Sequence, residues 1–504
     1  MSKILLAVTI VLSILACGCS DHYSKNYTQI KNKEIQSAFL LFMHNIVGYF
    51  IGNNGVEDTK NWDKRIVNPR GMNSFNSIVI DSSSNVYVSG YGSELVSVSS
   101  SYDWWIKKYS FDGTEIDFGG STVAPCGIGT SPCSTNTKDL VFDHNNGKDA
   151  ILSMVIDHSG NIIVAGYGDN IVDNYSKADW LIKKFNTSGV ELDFGGSSLD
   201  PCGSGITPCS TNFKDRAYDG SSSIDMAKAI TTDSSGNIYI AGFGSRLINV
   251  SSSTDCWIKK FSVSGIEDTG SWNKIYNSTT YDELYSIAVD AADNIIVAGY
   301  GHNLVSQYSG NDWWIKKYNS AGSELNFGGS NLGPCGTGAT PCTTDTLDMV
   351  LDFDGLQDRA TGITVDSSNN VYIAGYATID SMTASGTYWI VKKFSNTGVE
   401  DKESWDKMLP YGYGIPYAIK KDAFDNIYLV GNGSNLIKHT SGSDWIILKF
   451  NAQGREDVYG WKKFYNFDGK DIAVTIAIGT YEVYVSGYGG VSGNGDDVCI
   501  KKFY

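Results

Sequence analysis

The chain has 504 residues, 41% of them apolar and 19% charged, a globular composition with enough length for a sizeable core. Its formal net charge of −16 argues against nucleic acid and anionic membrane surfaces as partners. The 55 Gly and 30 Tyr, with only 9 Pro, are typical of short strands joined by tight turns.

The N-terminus predicts export. An apolar run over residues 4–16 is too short to span a membrane and ends at Cys17. The letters ILAC at 14–17 resemble the lipobox of bacterial lipoproteins, which implies cleavage before Cys17 and acylation of that residue. Cys19 is the weaker candidate, and an ordinary signal peptide cut nearby is the alternative. We therefore expect an oxidising, extracytoplasmic compartment, with a lipid anchor to a bacterial envelope membrane, the outer membrane in particular.

The predicted organisation has three parts. Residues 1–16 are the signal peptide, 17–37 a polar tether, and 38–504 one repeat domain. The apolar stretch 38–50 is read either as a degraded strand or as a plug against one face of the domain.

Seven copies of one sequence pattern fill the domain. In each copy, two apolar runs flank an Asp-x-x-x-Asn turn, and an Asp-Trp segment ending in Lys and an aromatic residue follows. The turn position is held by Asp81, Asp157, Asp233, Asp290, Asp366, Asp422 and Gly479. Consecutive turns are 76, 76, 57, 76, 56 and 57 residues apart, so copies one, two and four carry about 20 extra residues.

Four short strands per copy, with little helix, predict an all-β fold, a seven-bladed β-propeller of four-stranded antiparallel blades. The last copy ends after its third strand, and residues 50–67 match the fourth-strand region of copy five. We therefore expect an N-terminal strand to complete the last blade and close the ring.

The repeat also resembles a known family. Hairpins such as VDSSNNVYIAGY, followed by D-x-W-x-x-K-[FY], are similar to the seven-bladed β-propeller (SBBP-type) repeat of bacterial secreted proteins. The likeness covers residues from about 50 to 504. It implies the fold but no activity, because propellers carry function on variable loops.

Two recurring features are interpreted as structural. The turn aspartates are expected to cap their own turns, since the several carboxylates of a full calcium loop are missing. The third-strand lysine is expected to lie along the blade and pair with a carboxylate, while the Trp beside it fills the core between blades. Seven equivalent lysines argue against a nucleophile.

A third feature is the candidate ligand site. The position eight residues before each turn lies in the connection that enters the innermost strand, and we call its occupants the connection residues. Five carboxylates around one channel mouth would attract a cation or a basic ligand; the alternative is that each caps its own connection. The connection residues are Asn73, Asp149, Asp225, Asp282, Asp358 and Asp471, with Gly414 in the remaining copy.

No metal site and no cofactor is predicted. FDHNNGKD (142–149) and LDFDGLQD (351–358) resemble incomplete calcium loops, so Ca²⁺ stays an open alternative. No catalytic residue is assigned, since none of the six His recurs and no Gly-x-Ser-x-Gly, His-Glu-x-x-His or Walker pattern occurs.

The spacing of the cysteines predicts disulfide bonds. Three Pro-Cys loops, each with six residues between its cysteines, have neither zinc nor redox spacing. We expect a disulfide within each loop, on the insertion between the third and fourth strands, at the side away from the connection residues. Cys256 and Cys499 are expected to be buried free thiols. The predicted pairs are Cys126–Cys133, Cys202–Cys209 and Cys335–Cys342.

The sequence favours a monomeric, non-enzymatic binding or adhesion module whose loop face takes a protein or glycan, and which contacts a membrane only through its anchor. A glycan-acting hydrolase or lyase using channel carboxylates is the alternative, and an envelope scaffold is a third reading. An enzyme would concentrate non-repeating polar residues at one mouth, whereas this chain keeps its repeat character.

Overall fold

The computed structural model describes residues 55–504 apart from 69, 128, 204–205, 222, 249–250, 252, 279, 338, 354–355, 382–383, 440, 468 and 492–494. The predicted signal peptide, Cys17, the tether and the stretch 38–50 lie outside the described residues. Over the part described, no helix has the length and apolar character needed to cross a bilayer.

Short β-strands dominate the chain. The N-terminal strand and copy one contribute β1 (Lys64–Ile66), β2 (Asn73–Ile80), β3 (Val86–Ser93), β4 (Tyr102–Tyr109), β5 (Glu115–Ile116), β6 (Ala124–Pro125), β7 (Cys133–Ser134) and β8 (Leu140–Phe142). Copies two and three contribute β9 (Ala150–Ile156), β10 (Ile162–Asp169), β11 (Ala178–Phe185), β12 (Glu191–Leu192), β13 (Arg216–Tyr218), β14 (Met226–Thr232), β15 (Ile238–Gly244), β16 (Asp255–Phe261) and β17 (Lys274–Tyr276).

The later copies follow the same plan. Copy four contributes β18 (Glu283–Val289), β19 (Ile295–His302), β20 (Asn311–Tyr318), β21 (Glu324–Leu325), β22 (Gly333–Pro334), β23 (Cys342–Thr343) and β24 (Met349–Leu351). Copies five to seven contribute β25 (Arg359–Val365), β26 (Val371–Ser381), β27 (Ala384–Phe394), β28 (Lys407–Leu409), β29 (Pro416–Lys421), β30 (Ile427–Ser434), β31 (Ser443–Phe450), β32 (Lys463–Tyr465), β33 (Ile472–Ile478), β34 (Val483–Val491) and β35 (Gly495–Phe503). Three single 3-10 turns are Gly120–Thr122, Gly196–Ser198 and Gly329–Asn331.

These strands form seven sheets arranged as a β-propeller. The first strands of successive sheets contact one another in a closed cycle, β2, β9, β14, β18, β25, β29, β33 and back to β2. In the last sheet, β1 pairs antiparallel with β35, so the N-terminal strand supplies its outermost strand.

The insertions change the make-up of their sheets. Of the sheets in the described chain, five have four or five strands, and those of copies one and four have seven. Strands β6 and β7 run parallel, as do β22 and β23. The predicted seven-bladed ring of uniform four-stranded antiparallel blades is therefore wrong, whereas the all-β class is confirmed. The physical cause is that each inserted segment must pair its own backbone N–H and C=O groups on its way to the outermost strand.

The hairpin turns explain why the pattern folds locally as it does. In copy two, Asp157 Oδ1 accepts hydrogen bonds from the backbone N–H groups of Ser159 (2.9 Å) and Asn161 (2.8 Å). Its Oδ2 accepts from the Asn161 side chain at 3.0 Å and pairs with Lys184 Nζ at 2.8 Å. The recurring Asp is thus a turn cap, and in copies two and four the third-strand Lys pairs with it, as Lys184 with Asp157 and Lys317 with Asp290.

The hydrophobic core lies between neighbouring sheets. Trp180 is fully buried among apolar residues of the sheets of copies two and three. Its Nε1–H donates to the carbonyl of Phe243 in the next sheet at 2.8 Å. Copy three has Cys256 at the same strand position, and both Cys256 and Cys499 are buried free thiols, as expected.

Candidate functional site at the cystine loops

The connection residues are held by backbone donors. Asp149, Asp225, Asp282, Asp358 and Asp471 are fully buried, and Asn73 is 1% exposed. In each Asp, Oδ1 accepts from a backbone N–H near the C-terminal end of the second strand, and Oδ2 accepts from a backbone N–H a few residues before the Asp in its own connection. For Asp358 these donors are Thr378 (3.3 Å) and Phe353 (2.7 Å). The Oδ1 donors in the other copies are Asp169, Ser245, His302 and Gly490.

Because these side chains are buried, they present no carboxylate surface to solvent. Their geometry is that of caps fastening the innermost strand to its neighbour. A ligand role for the whole set stays a prediction. Three of them, however, lie beside further carboxylates.

The third-strand aspartates shape the connection between the second and third strands, here termed the 2–3 connection. Oδ2 of Asp312 accepts from two consecutive backbone N–H groups, those of Leu304 (2.7 Å) and Val305 (3.1 Å), and from the Ser309 hydroxyl (2.8 Å). Asp103 and Asp179 bind their own 2–3 connections in the same way. One carboxylate oxygen therefore fixes each of these connections.

The three predicted disulfides are confirmed. Cys126–Cys133, Cys202–Cys209 and Cys335–Cys342 are bonded, with Cα–Cα distances of 5.0, 5.1 and 5.1 Å. We call residues 126–133, 202–209 and 335–342 the cystine loops.

The expected side for these loops is wrong. Each cystine loop docks on the 2–3 connection of its own copy: Gly127, Gly203 and Gly336 donate their N–H groups to the carbonyls of Val96 (2.9 Å), Val172 (2.8 Å) and Val305 (3.0 Å). In copies one and four, the second half of the insertion turns back, as β7 beside β8 and β23 beside β24, both antiparallel. This path brings the loops to the side where the connection residues lie.

A second set of contacts ties the loops to the segment that leads to the connection residues. The N–H of Asp219 donates to Thr207 Oγ1 at 3.1 Å, and the N–H of Asp143 donates to Ser131 Oγ at 2.9 Å. Asp352 donates in the same way to Thr340 Oγ1 at 3.0 Å. Each loop therefore lies against an aspartate six residues before the connection residue.

In each copy with an insertion, three aspartates lie near enough to influence one another electrostatically, and we call each set an aspartate triad. Each triad combines a third-strand Asp, the loop-contacting Asp and a connection Asp. Over the described residues, the triad of copy two is the one in which an oxygen from each member lies within 4.8 Å of the others. The triads are Asp103–Asp143–Asp149, Asp179–Asp219–Asp225 and Asp312–Asp352–Asp358.

Burial makes the charged form of these acids unfavourable. Desolvation, with a further contribution from Asp219, raises the pKa of Asp179 to about 7. Burial and repulsion by Asp352 and Asp312 raise the pKa of Asp358 to about 8, despite its backbone hydrogen bonds. The pKa of Asp103 rises to about 7 and those of Asp143 and Asp312 to about 6, for the same reasons.

The surface beside the triads carries exposed aromatic side chains. Tyr308 in the 2–3 connection of copy four is 80% exposed and borders a surface cavity of about 580 Å³. Asn303, Ser306, Gln307 and Gly336 of the cystine loop also line this cavity. Tyr175 holds the same place in copy two and is also 80% exposed.

The sequence predicts the triads only in part. The third-strand Asp is interpreted from the sequence as structural, together with its Trp, and no prediction from the sequence singles out Asp219. One signal was present: an Asp six residues before the connection residue occurs only in the three copies that carry a cysteine pair, whereas Tyr276 and Tyr465 stand there in copies three and six. Of the two calcium-like segments, Asp354 lies outside the described residues, while Asp143, Asp149, Asp352 and Asp358 belong to triads.

A family model described as a beta-propeller repeat, SBBP, matches residues 355–381. No curated protein sequence matches the chain.

Several solved structures share the chain path at low identity. Polysaccharide lyase Uly1 is 11% identical, with 89% of this chain and 93% of that chain covered and a TM-score of 0.46. A PL25 ulvan lyase bound to -[GlcA(1-4)Rha3S]- is 13% identical, with coverages of 88% and 95% and a TM-score of 0.45. The β-propeller domain of the Trilobed protease from Pyrococcus furiosus is 11% identical, with coverages of 87% and 94% and a TM-score of 0.39. Likenesses this distant say nothing of what the present chain binds.

Proposed function

We propose that this chain is an extracytoplasmic binding module that holds a glycan on the surface formed by its cystine loops and 2–3 connections. The observation that carries the proposal is the cavity of copy four. There an exposed Tyr308 ring lies among the amide and hydroxyl groups of Asn303, Ser306 and Gln307.

The chemistry of this surface suits a sugar. A tyrosine offers a flat, rigid apolar face with a polar end, against which the C–H face of a sugar ring can stack. Amides and hydroxyls nearby supply both donors and acceptors for sugar hydroxyl groups. The net charge of −16 favours a neutral glycan over an acidic one.

Repetition of the surface supports binding to a repeating ligand. Tyr175 occupies in copy two the position of Tyr308 in copy four. Two weak sites on one rigid ring would engage a polymer together and raise the overall affinity without new contacts. The cystine loops and the aspartate-bound 2–3 connections hold these surfaces in one conformation, which lowers the entropy lost on binding.

The proposed location follows from the cysteines. Three disulfides persist in an oxidising compartment rather than a reducing cytoplasm. With acylation at Cys17, the domain would be tethered to a bacterial envelope membrane, and the proposed site is the outer membrane. The lipid would be its only membrane contact.

The alternative of a glycan-cleaving enzyme receives less support. A general base or acid must come within about 3 Å of the reacting proton. The connection carboxylates proposed for that task are buried and accept backbone hydrogen bonds. A scaffold without a ligand would leave the two exposed tyrosines without a role.

Binding to a glycan array, followed by calorimetry with the best glycan, tests the proposal. Replacing both Tyr175 and Tyr308 with Ala should weaken binding about 10-fold or more, since an exposed aromatic anchor contributes about 1–3 kcal/mol. Tyr459→Ala is the matched control: this side chain is 100% exposed but lies in the turn after the third strand of copy six.

Four results would contradict the proposal. Binding that survives loss of both tyrosines would place the ligand elsewhere. A full array without any hit, or capture of a protein ligand in its place, would remove the glycan as the ligand. Turnover of a bound glycan would favour the enzyme alternative.

A further inference from the structure

We propose that each aspartate triad binds one divalent cation and that Ca²⁺ is the ion that fits. The strongest case is copy two, where oxygens of Asp179, Asp219 and Asp225 lie within 4.8 Å of one another. Ca²⁺–oxygen bonds are about 2.3–2.6 Å long, so two ligands on opposite sides of one ion are about 5 Å apart. The spacing of the triad therefore matches a shared ion.

An orphaned oxygen supplies independent evidence. Asp179 is fully buried, and its Oδ2 accepts all three hydrogen bonds described above, while its Oδ1 is buried without a hydrogen-bond partner. Asp103 and Asp312 have the same buried, orphaned Oδ1. A buried carboxylate oxygen without a partner is costly, and a cation would satisfy it.

The contact between Asp219 and Asp225 also supports a bound cation. The Asp219 and Asp225 carboxyl groups are close enough to hydrogen-bond. Two carboxylate anions make such a contact only when they share a proton or a cation. Asp219 is half-buried, so an ion has a path from the surface to the buried pair.

In two of the copies without a triad, side chains of the chain itself contact the third-strand Asp. In copy three, the Asn277 side chain donates to Oδ1 of Asp255 at 2.5 Å. In copy seven, Arg65 Nε lies 2.9 Å from Asp497 Oδ2. Copy six has the orphaned oxygen of Asp444 but Tyr465 in place of the third acid. The copies with a cystine loop differ in carrying a third Asp, six residues before the connection residue.

The donor set selects the ion. Carboxylate oxygens suit the hard cations, and Ca²⁺ accepts irregular sets of 6–8 oxygens completed by water, whereas Mg²⁺ demands near-ideal octahedral geometry. Zn²⁺ would favour nitrogen or sulfur ligands. His144 Nδ1 lies 3.2 Å from Asp149 Oδ2 in copy one, so the triad of that copy has a competing partner. We expect it to be the weakest of the three sites.

This inference goes beyond glycan binding, because it concerns an ion that holds three chain segments together. The ion would link the third strand through Asp179, the cystine loop through Asp219 and the innermost strand through Asp225. Its presence is measured without any glycan, so the failure of one proposal leaves the other standing.

The test is calcium binding by the metal-free full chain at pH 7.5, measured by calorimetry with CaCl2 and by metal analysis after dialysis. We expect up to three Ca²⁺ per chain and a higher Tm in calcium than in EDTA. Asp219→Asn, a half-exposed position, should remove one Ca²⁺. Asp255→Asn is the matched control from copy three and should leave the stoichiometry unchanged.

Terbium luminescence provides a second readout that needs no variant, with Tb³⁺ as a calcium substitute displaced by CaCl2. Absence of any calcium binding by folded wild-type chain would overturn the proposal in favour of shared protons. Unchanged stoichiometry in folded Asp219→Asn, or an equal loss in Asp255→Asn, would also overturn it. Tighter binding of MgCl2 than of CaCl2 would contradict the choice of ion.

Discussion

Aspartate side chains hold the loops of this chain by accepting hydrogen bonds, and they differ in whether one or both carboxylate oxygens accept them. In Asp157 both oxygens accept hydrogen bonds, and the pKa of the carboxyl is lowered by Lys184 and Asn161 against the effect of burial. In Asp179 only Oδ2 is used, and burial raises the pKa to about 7. Two buried aspartates of one copy are thus tuned in opposite directions by their partners.

The raised pKa of Asp179 predicts a pH dependence of stability in EDTA. Between its ordinary value near 4 and about 7, the folded chain holds a proton that the unfolded chain has released. In the wild-type chain, the stability that depends on protonated Asp179 is therefore fully present below pH 4 and is lost as the pH rises to 7. Asn at position 179 does not titrate, so this pH dependence is absent from Asp179→Asn. Its free energy of unfolding should rise relative to that of wild type by on the order of 1 kcal/mol per pH unit as the pH increases towards 7.

Denaturant unfolding of both proteins at pH 5, 6 and 7 measures this difference. Asp157→Asn is the control: the pKa of Asp157 is lowered, so this group is ionised in both the folded and the unfolded chain from pH 5 to 7 and its effect on the free energy of unfolding should not change with pH. A gap between Asp179→Asn and wild type that stays constant with pH would contradict the assigned electrostatics.

At the scale of elements, each sheet contains a place where the first two strands approach closely. The register between β9 and β10 shifts at Ala165/Gly166, and a Cβ on Gly166 would lie 2.0 Å from the carbonyl oxygen of Ala150. Equivalent glycines have the same close approach in the other sheets. They are Gly90, Gly242, Gly299, Gly375, Gly431 and Gly487.

Gly166→Ala should therefore destabilise the chain by about 3 kcal/mol, because the obstacle is backbone that cannot move aside. Gly333→Ala is the matched control, since the added Cβ would meet nothing within 4 Å in strand β22. Thermal and denaturant unfolding compare the two. Equal stabilities would show that the bulge relaxes to admit a side chain.

The strands and turns could be predicted from the sequence because each copy repeats the same local signals. The Asp157 turn and the Trp180 core position are decided by neighbours close in sequence or by the next copy. The path of the insertion could not be predicted, because it depends on β7 turning back beside β8. The triad of copy two could not be predicted for a related reason: Asp179, Asp219 and Asp225 come from three segments that meet only after that return.

At the scale of the whole molecule, the ring depends on a short N-terminal segment. Trp62 is fully buried, with its ring centroid 4.8 Å from that of Tyr484 in the last sheet and 5.8 Å from that of Tyr109 in the first. Its Nε1–H donates to the carbonyl of Phe111 at 2.8 Å. One side chain thus joins the first and last sheets.

Copy three contains the same arrangement within continuous chain. The ring centroid of Trp272 lies 4.9 Å from that of Tyr239 and 5.8 Å from that of Tyr318. The Trp272 Nε1–H donates to the carbonyl of Ser320 at 3.0 Å. If the N-terminal segment closes the ring as firmly as an internal strand, Trp62→Ala and Trp272→Ala should each cost about 3–5 kcal/mol in the free energy of unfolding. A near-neutral Trp62→Ala beside a strongly destabilising Trp272→Ala would mean that the ring stands open in solution. Broader unfolding transitions for Trp62→Ala alone would show that closure couples the sheets into one cooperative unit, since each sheet otherwise contacts only its neighbours.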